Sequence, residues 1–316
     1  MKILRFVAFL VLSLNQIFAQ CPKYDTQPPH LQDVIVKCII TVDGDVQRFT
    51  YSYSISNGAK SSGCIKQFDL DITYPENALI LSSDGLIDYP RYIFRDPLAL
   101  PQTVKTIPVG IPKLPTFRGF RSAWFAGFGI DGKVGWSSGI ERFRLEPGAT
   151  LDSIILTSYG LPGLRSFVIS PSYNPRPPVE ITPANEDSVY RNVPEPTEEE
   201  SKAFLRLEDS IGVRGLTIGP TAPPLNFVPT TWLDTLISYK HQAFTLGWIT
   251  NKGIFNSLDQ KLDNARKQLE RGNNKAAKNI LEAFINEVEA QKEKHLSSEA
   301  YALLKFNAEY LISRLQ

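Results

Sequence analysis

From Leu31 to about Ser170 the apolar positions recur with a period close to two, and β-branched and aromatic residues are enriched. That is the pattern of strands with one buried and one wet face. Residues 34–42 and 48–55 read as strands, with Asp43-Gly44-Asp45 as a hairpin turn between them and Asn57-Gly58 as the next turn. A third strand is predicted over residues 65–74, where Phe68, Leu70 and Ile72 share one face and Ile65, Gln67, Asp69 and Asp71 the other. Later strands are predicted at 134–136, 139–145, 151–158 and 165–170. Glu146-Pro147-Gly148 and Leu161-Pro162-Gly163-Leu164 read as turns on either side of the 151–158 strand. Residues 82–119, rich in proline and glycine, read as long loops. Short strands with no helical period among them predict an antiparallel, immunoglobulin-like β-sandwich over residues 21–170.

The pattern then changes twice. Residues 171–229 hold Pro175-Arg176-Pro177-Pro178, Pro194-Glu195-Pro196, Glu198-Glu199-Glu200 and Pro223-Pro224, the composition of an extended, proline-rich acidic linker. Within it, residues 198–209 have the pattern of a short helix presenting Phe204, Leu205 and Leu207. From Thr231 the period becomes 3.6, and residues 230–316 read as a small four-helix bundle. The first helix carries Leu233, Leu236, Ile237, Phe244 and Trp248. The second carries Ile254, Leu258, Leu262, Ala265 and Leu269, with Gly272 past its end. Asn273 or Asn274 caps the third, whose stripe is Ala277, Ile280, Leu281, Phe284, Ile285 and Val288. Ser297 or Ser298 caps the fourth, with Glu299 placed for the helix dipole. The fold class is therefore multi-domain, β then α.

The first 20 residues read as a secretory signal peptide, with Lys2 and Arg5 ahead of an apolar core over residues 6–14 and a cleavage region at Ala19-Gln20. The core is too short to span a bilayer, and no other stretch approaches the about 18 apolar residues that a membrane helix needs. The expected location is outside the cytosol: secreted, periplasmic or at the cell surface. Cys21 raises a lipid anchor, but Gln20 and Phe18 stand where a lipobox carries a small residue and a leucine-like one, so the pattern argues against it.

Export changes the reading of the three cysteines, Cys21, Cys38 and Cys64, because disulfides persist in an oxidising compartment. A Cys38–Cys64 bridge is the preferred pairing, closing a loop of about 25 residues for roughly 3 to 4 kcal/mol. The main competitor is Cys21–Cys64. Dispersed histidines at 30, 241 and 295 and the absence of a close cysteine pair argue against zinc.

With 34 Lys+Arg against 33 Asp+Glu, the chain lacks the charge excess of a nucleic-acid binder. Asp69 and Asp71 have a spacing that suits paired carboxylates, and Asp43-Gly44-Asp45 and Asp131-Gly132 could offer oxygens to calcium. A solvated strand face and ordinary turns account for them better. No Gly-x-Ser-x-Gly elbow, phosphate loop, dinucleotide fingerprint or His-Glu-x-x-His occurs, so no catalytic residue, cofactor or metal site is assigned. Trp124 and Trp136, in an aromatic segment with Phe117, Phe120, Phe125 and Phe128, are the candidate ligand-binding residues if their rings are exposed on one face. Arg118, Arg121, Arg142 and Arg144 could make an anion-binding face, though a solvated face is the simpler reading.

The C-terminal quarter carries a resemblance. Residues 242–249 (Gln-Ala-Phe-Thr-Leu-Gly-Trp-Ile), the Ser257-Leu-Asp-Gln-Lys-Leu262 segment, Arg271-Gly-Asn273 and Ala283-Phe-Ile-Asn286 follow one another in the order and spacing of the FIMAH-type helical module. The stretch resembles that module, which is appended to many secreted bacterial proteins. It departs at Glu293, where members often carry glycine. The resemblance implies a bacterial, exported, multi-domain protein and brings no catalytic residue. The expected function is that of a non-catalytic protein with a recognition or scaffold sandwich and a helical attachment module, taking an unknown protein or glycan partner. The alternatives are a carbohydrate-binding protein and a hydrolase with a loop-built site at 82–119.

Overall fold

The computed structural model describes residues 27–43, 48–72, 80–83, 124–128, 133–138, 144–173, 197–224 and 226–315. The leader, Cys21, residues 84–123 and residues 174–196 lie outside them, and so do the readings that rest on those residues.

Nine strands and five helices are described. Their order is β1 (Ile35–Asp43), β2 (Arg48–Ser56), β3 (Ile65–Asp71), β4 (Ile80–Ser83), β5 (Phe125–Phe128), β6 (Lys133–Ser137), β7 (Thr150–Ser158), β8 (Leu161–Pro171), α1 (Glu198–Ile211), β9 (Val213–Thr221), α2 (Pro229–Thr245), α3 (Lys252–Glu270), α4 (Asn274–Gln291) and α5 (Ser298–Arg314). The strands form two antiparallel sheets, ordered β1-β2-β7-β4 and β5-β6-β3-β8-β9. β1 and β2 pair in the register a hairpin requires, Asp43 facing Arg48, and those two side chains form a 2.8 Å ion pair at the end where β1 leads on to β2.

Alternation buries Cys38, Ile40, Phe49, Tyr51, Tyr53, Ile55, Ile154 and Leu156 from the first sheet against Phe68, Leu70, Val134, Trp136, Phe167 and Ile169 from the second. The Tyr53 ring lies 5.5 Å from Phe68 and 6.0 Å from Trp136, so the inner faces touch. Both buried tyrosines reach across with their hydroxyls. Tyr53 donates to the Ile218 carbonyl on β9 (2.9 Å), and Tyr51 to the Gly160 carbonyl (2.7 Å), which satisfies polar groups that would otherwise be costly in a core.

Two features differ from the sequence reading. Leu161-Pro162-Gly163-Leu164 is not a turn but the start of β8; the chain changes sheets across Tyr159-Gly160. Gly163 has a packing purpose, since a Cβ there would collide with Thr221 Oγ1 and meet the Tyr239 hydroxyl at 3.1 Å. The second difference is that the span read as linker contains, after the helix expected at 198–209 (α1), the strand β9, which pairs with β8 from Leu161↔Thr221 to Ile169↔Val213. Gly215, which weakens the strand pattern in sequence, lies under the Phe167 ring, where any side chain would clash.

In the helical part each start has a physical cause. Proline opens α2. The Asn251 side chain accepts from the Gly253 and Ile254 amides (2.8 and 3.1 Å), that of Asn273 from Ala276 (3.2 Å) and that of Ser297 from Ala300 (3.3 Å). Gly272, at φ +69°, follows α3. Between α4 and α5 the same left-handed conformation falls on Glu293, at φ +62°, and its exposed side chain makes only a 4.0 Å approach to Lys292. The glycine common at this place in the FIMAH-type module thus has a conformational reason here. Glu293→Gly is expected to raise stability by up to about 1 kcal/mol by relieving left-handed strain, as read by urea denaturation; a loss of stability would show that the side chain compensates for its backbone.

Candidate functional site

One set of ionisable and polar groups that the fold brings together lies on α5, which packs on one side against α2 and α4 and on the other against β1, β8 and β9. Among the described residues β1 is an edge strand, one row of its amides and carbonyls facing no strand. The first turn of α5 fills that place at Cys38. The Cys38 N–H donates to Glu299 Oε1 (2.7 Å), and Ser298 Oγ donates to the Cys38 carbonyl (2.9 Å) and lies 3.1 Å from Glu299 Oε2. Further along, Asn307 Nδ2 donates to the Pro162 carbonyl on β8 and to the Leu303 carbonyl (both 2.7 Å), while the Asn307 backbone carbonyl accepts from Trp232 Nε1 on α2 (3.1 Å). Phe306 meets Phe49 of β2 edge-on at 5.2 Å between ring centres. One helix therefore holds sheet and bundle together through both polar and apolar contacts.

Burial, and next the Glu299 carboxylate, push the Cys38 thiol well up, and burial does the same to the Tyr51 and Tyr53 phenols. A thiol so placed is protonated at neutral pH and is not a nucleophile. Lys305 is pulled down by burial, but Glu309 and Glu289, the latter 3.0 Å away, hold its ammonium above the ordinary lysine range.

Lys240 is the other unusual group. Its side chain is wholly buried on α2, ion-paired to Asp259 of α3 and seated 3.9 Å from the Phe255 ring centre, while His241 Nε2 lies 3.6 Å from the same carboxylate. Burial lowers the Lys240 pKa, against the pull of Asp259 and Asp263. A lysine lowered in the folded state contributes stability that rises with pH between its folded value and the ordinary 10.5. Asp259→Ala should therefore cost about 2 kcal/mol near neutrality, by leaving a buried cation short of its partner. The deficit relative to the parent should shrink as pH is raised toward 10.5. Lys240→Met should stay within about 1 kcal/mol of the parent. Urea denaturation across pH measures both; a pH-independent deficit would remove the electrostatic account.

Trp124 and Trp136, put forward as ligand-binding residues, are 6% and 1% exposed. Trp136 stacks on Phe68 at 5.4 Å and 19°, so these rings complete the core and do not present a face to a sugar. Large inward residues are what two packed sheets require. The Cys38–Cys64 bridge is not formed: Cys38 is free and buried between β2 and α5, whereas Cys64 is disulfide-bonded. Asp69 accepts from Gln67 Nε2 (2.8 Å to each oxygen), and Asp71 from Ser166 Oγ (3.3 Å), on the outer face of the second sheet. Among the described residues no group of three or more His, Cys, Asp or Glu is placed to hold a metal, and no helix is long and apolar enough to cross a membrane. Phe117, Phe120, Arg118, Arg121, Arg142 and Asp131-Gly132 lie outside the described residues.

Lys240, Glu299 and Asn307 were missed in the sequence, yet two of them left a signal. Lys240 interrupts the stripe Leu233, Leu236, Ala243, and Asn307 interrupts Ala300, Leu303, Leu304, Leu311, each at helical spacing. A polar residue on an apolar stripe implies a buried partner.

The arrangement defines a class first: an antiparallel two-sheet domain to which a four-helix module is docked. Within it, residues 242–313 match the FIMAH domain. That match begins inside α2 and ends inside α5, so the sheet-docked helix belongs to the matched module. No curated protein matches the chain.

Proposed function

We propose that this is an exported, non-catalytic bacterial protein in which an immunoglobulin-like sandwich serves recognition or scaffolding and the helical module serves attachment to a protein or glycan partner. The observation that carries the reading is α5: one helix belongs to both units, so the exposed faces of α2, α3 and α4 are held at a set angle to the sheets. A module joined in that way suits a scaffold better than a freely swinging tether. The immunoglobulin-like assignment is supported by strand order. Taking β1, β2, β7 and β4 as A, B, E and D, and β3, β8 and β9 as C, F and G, gives the ABED and CFG sheets, with β5 and β6 as a hairpin added beside C. Export is supported by the leader-like residues 1–20. The ionisable groups of the helical module serve helix packing, as in Lys240 with Asp259 and Lys261 with Glu287.

The test is to express the full chain in a bacterial host, fractionate the cells, and offer the purified mature protein to a glycan array, to isolated cell envelopes and to a panel of ester, peptide and glycoside substrates. Retention by envelope or glycan without turnover is expected. Turnover that co-purifies with the protein, or accumulation in the cytosol with the leader intact, would overturn the proposal.

A further inference from the structure

We infer that the end of the helical module built around the turn between α3 and α4 is a cationic docking surface for a phosphate-bearing glycan polymer of the cell envelope; the inference rests on the attachment reading above and names its partner. Residues 266–278 hold five cations, Arg266, Lys267, Arg271, Lys275 and Lys278, against one acid, Glu270. The turn Arg271-Gly272-Asn273 gathers them. Gly272 takes φ +69°, and the Gly272 and Asn273 amides donate back to the Leu269 and Gln268 carbonyls (3.0 and 2.9 Å). The last turns of α3 therefore lie beside the first turns of α4. α2 packs on α3 and α5 on α4, and Lys267, Arg271 and Lys275 stay exposed while Lys278 is half-buried.

Three observations separate this group from ordinary solvated charge. Lys240, Lys261, Arg266 and Lys305 are each matched by an acid of the module, whereas among the described residues Lys267, Arg271, Lys275 and Lys278 form no ion pair. Next, Lys275 is the second residue of α4, at the positive end of the helix dipole, where an acid would stabilise; α4 has no acid in its first turn. Its acids, Glu282, Glu287 and Glu289, all fall in its second half. Helix stability does not account for that distribution, and attraction to an external anion does. Finally, no apolar side chain is exposed between Lys267 and Lys275. A surface lying in a bilayer would add apolar side chains to its cations. Cations alone suit a hydrated polymer of repeating phosphodiesters, which guanidinium and ammonium groups hold by charge-assisted hydrogen bonds.

The experiment titrates the purified full chain with poly(glycerol phosphate), with neutral dextran of equal length and with phosphatidylglycerol vesicles, over a range of salt. Binding to the phosphate polymer and not to dextran is expected. With four phosphates neutralised at about 0.7 counterions each, log K should fall against log salt with a slope near about −3. Replacing Lys267, Arg271, Lys275 and Lys278 together by Gln should weaken binding more than about a hundredfold, at about fivefold per cation. Lys252→Gln with Lys294→Gln, which removes two exposed cations at the start of α3 and between α4 and α5, should leave it nearly unchanged. Should the fourfold variant lose its helical circular dichroism, Lys275→Glu alone decides: weaker binding upholds the surface and unchanged binding overturns it. A parent that ignores the polymer at low salt, equal losses in the two sets of variants, or tighter capture by the vesicles than by the polymer would also overturn it. Isolated envelopes separate this inference from the reading beneath it. Envelope binding that survives the fourfold substitution leaves attachment standing and overturns this surface as its seat. Polymer binding by a parent that no envelope retains upholds the surface and brings down the attachment reading alone.

Discussion

Ile218→Asp is expected to abolish cooperative folding of the whole chain. Ile218 has no exposed surface, its carbonyl accepts the Tyr53 hydroxyl, and it lies on β9, the strand that closes the second sheet. Losing a buried isoleucine side chain costs about 2 to 5 kcal/mol, and an unpaired carboxylate in the core adds several more or stays protonated at a comparable penalty. Together these approach the about 5 to 15 kcal/mol that holds a typical domain folded. Ile218→Val, which removes one methyl group, should cost about 0.5 to 1.5 kcal/mol and leave the fold intact. Lys202→Ala on the exposed face of α1 should move stability by less than about 0.5 kcal/mol. Circular dichroism melts of the three variants make the measurement. A cooperative melt for Ile218→Asp within a few degrees of the parent would mean that β9 is a dispensable spacer, as the composition of residues 171–229 suggests.

That strand also marks where the sequence stops being legible. β1, β2, β3 and β7 were readable because alternation in a half-buried strand is written in its own residues: Phe49, Tyr51, Tyr53 and Ile55 all point inward. In β9, Gly215, Gly219 and Pro220 interrupt the alternation, and its place in the sheet depends on β8, whose Phe167 and Arg165 side chains lie over the two glycines. Pairing of this kind is a property of two distant segments, so no local window contains it. The four helices were legible for the opposite reason, each carrying its stripe and most carrying a cap. What the stripe of α5 could not show is that it faces two ways. Its buried residues include Glu299, Ala300, Ala302, Leu303, Leu304, Phe306, Asn307, Ala308 and Leu311, more of its circumference than a bundle alone would cover. Glu299 is the first-turn acid its position suggested and is also the acceptor for a β1 amide, which no local pattern shows.

Phe306→Ala and Phe49→Ala are expected to lower the stability of the protein by about 3 to 5 kcal/mol each, and to do so non-additively. The rings meet edge to face at 5.2 Å, one from the FIMAH-matched module and one from the first sheet, and among the described residues neither ring has another edge-to-face partner across the junction. A contact of this type contributes about 0.5 to 1.5 kcal/mol beyond the area it buries. The double variant should therefore be destabilised by less than the sum of the two single variants, by about that amount. The direction of the transfer matters more than its size. Truncating Phe49, a strand residue, should weaken the helical module as measured by hydrogen exchange of the Leu303 and Leu304 amides, because α5 loses part of the surface on which it rests. Two units joined only by a spacer would show additive losses and helix amides indifferent to position 49, and with that result the shared interior built on α5 would have to be given up.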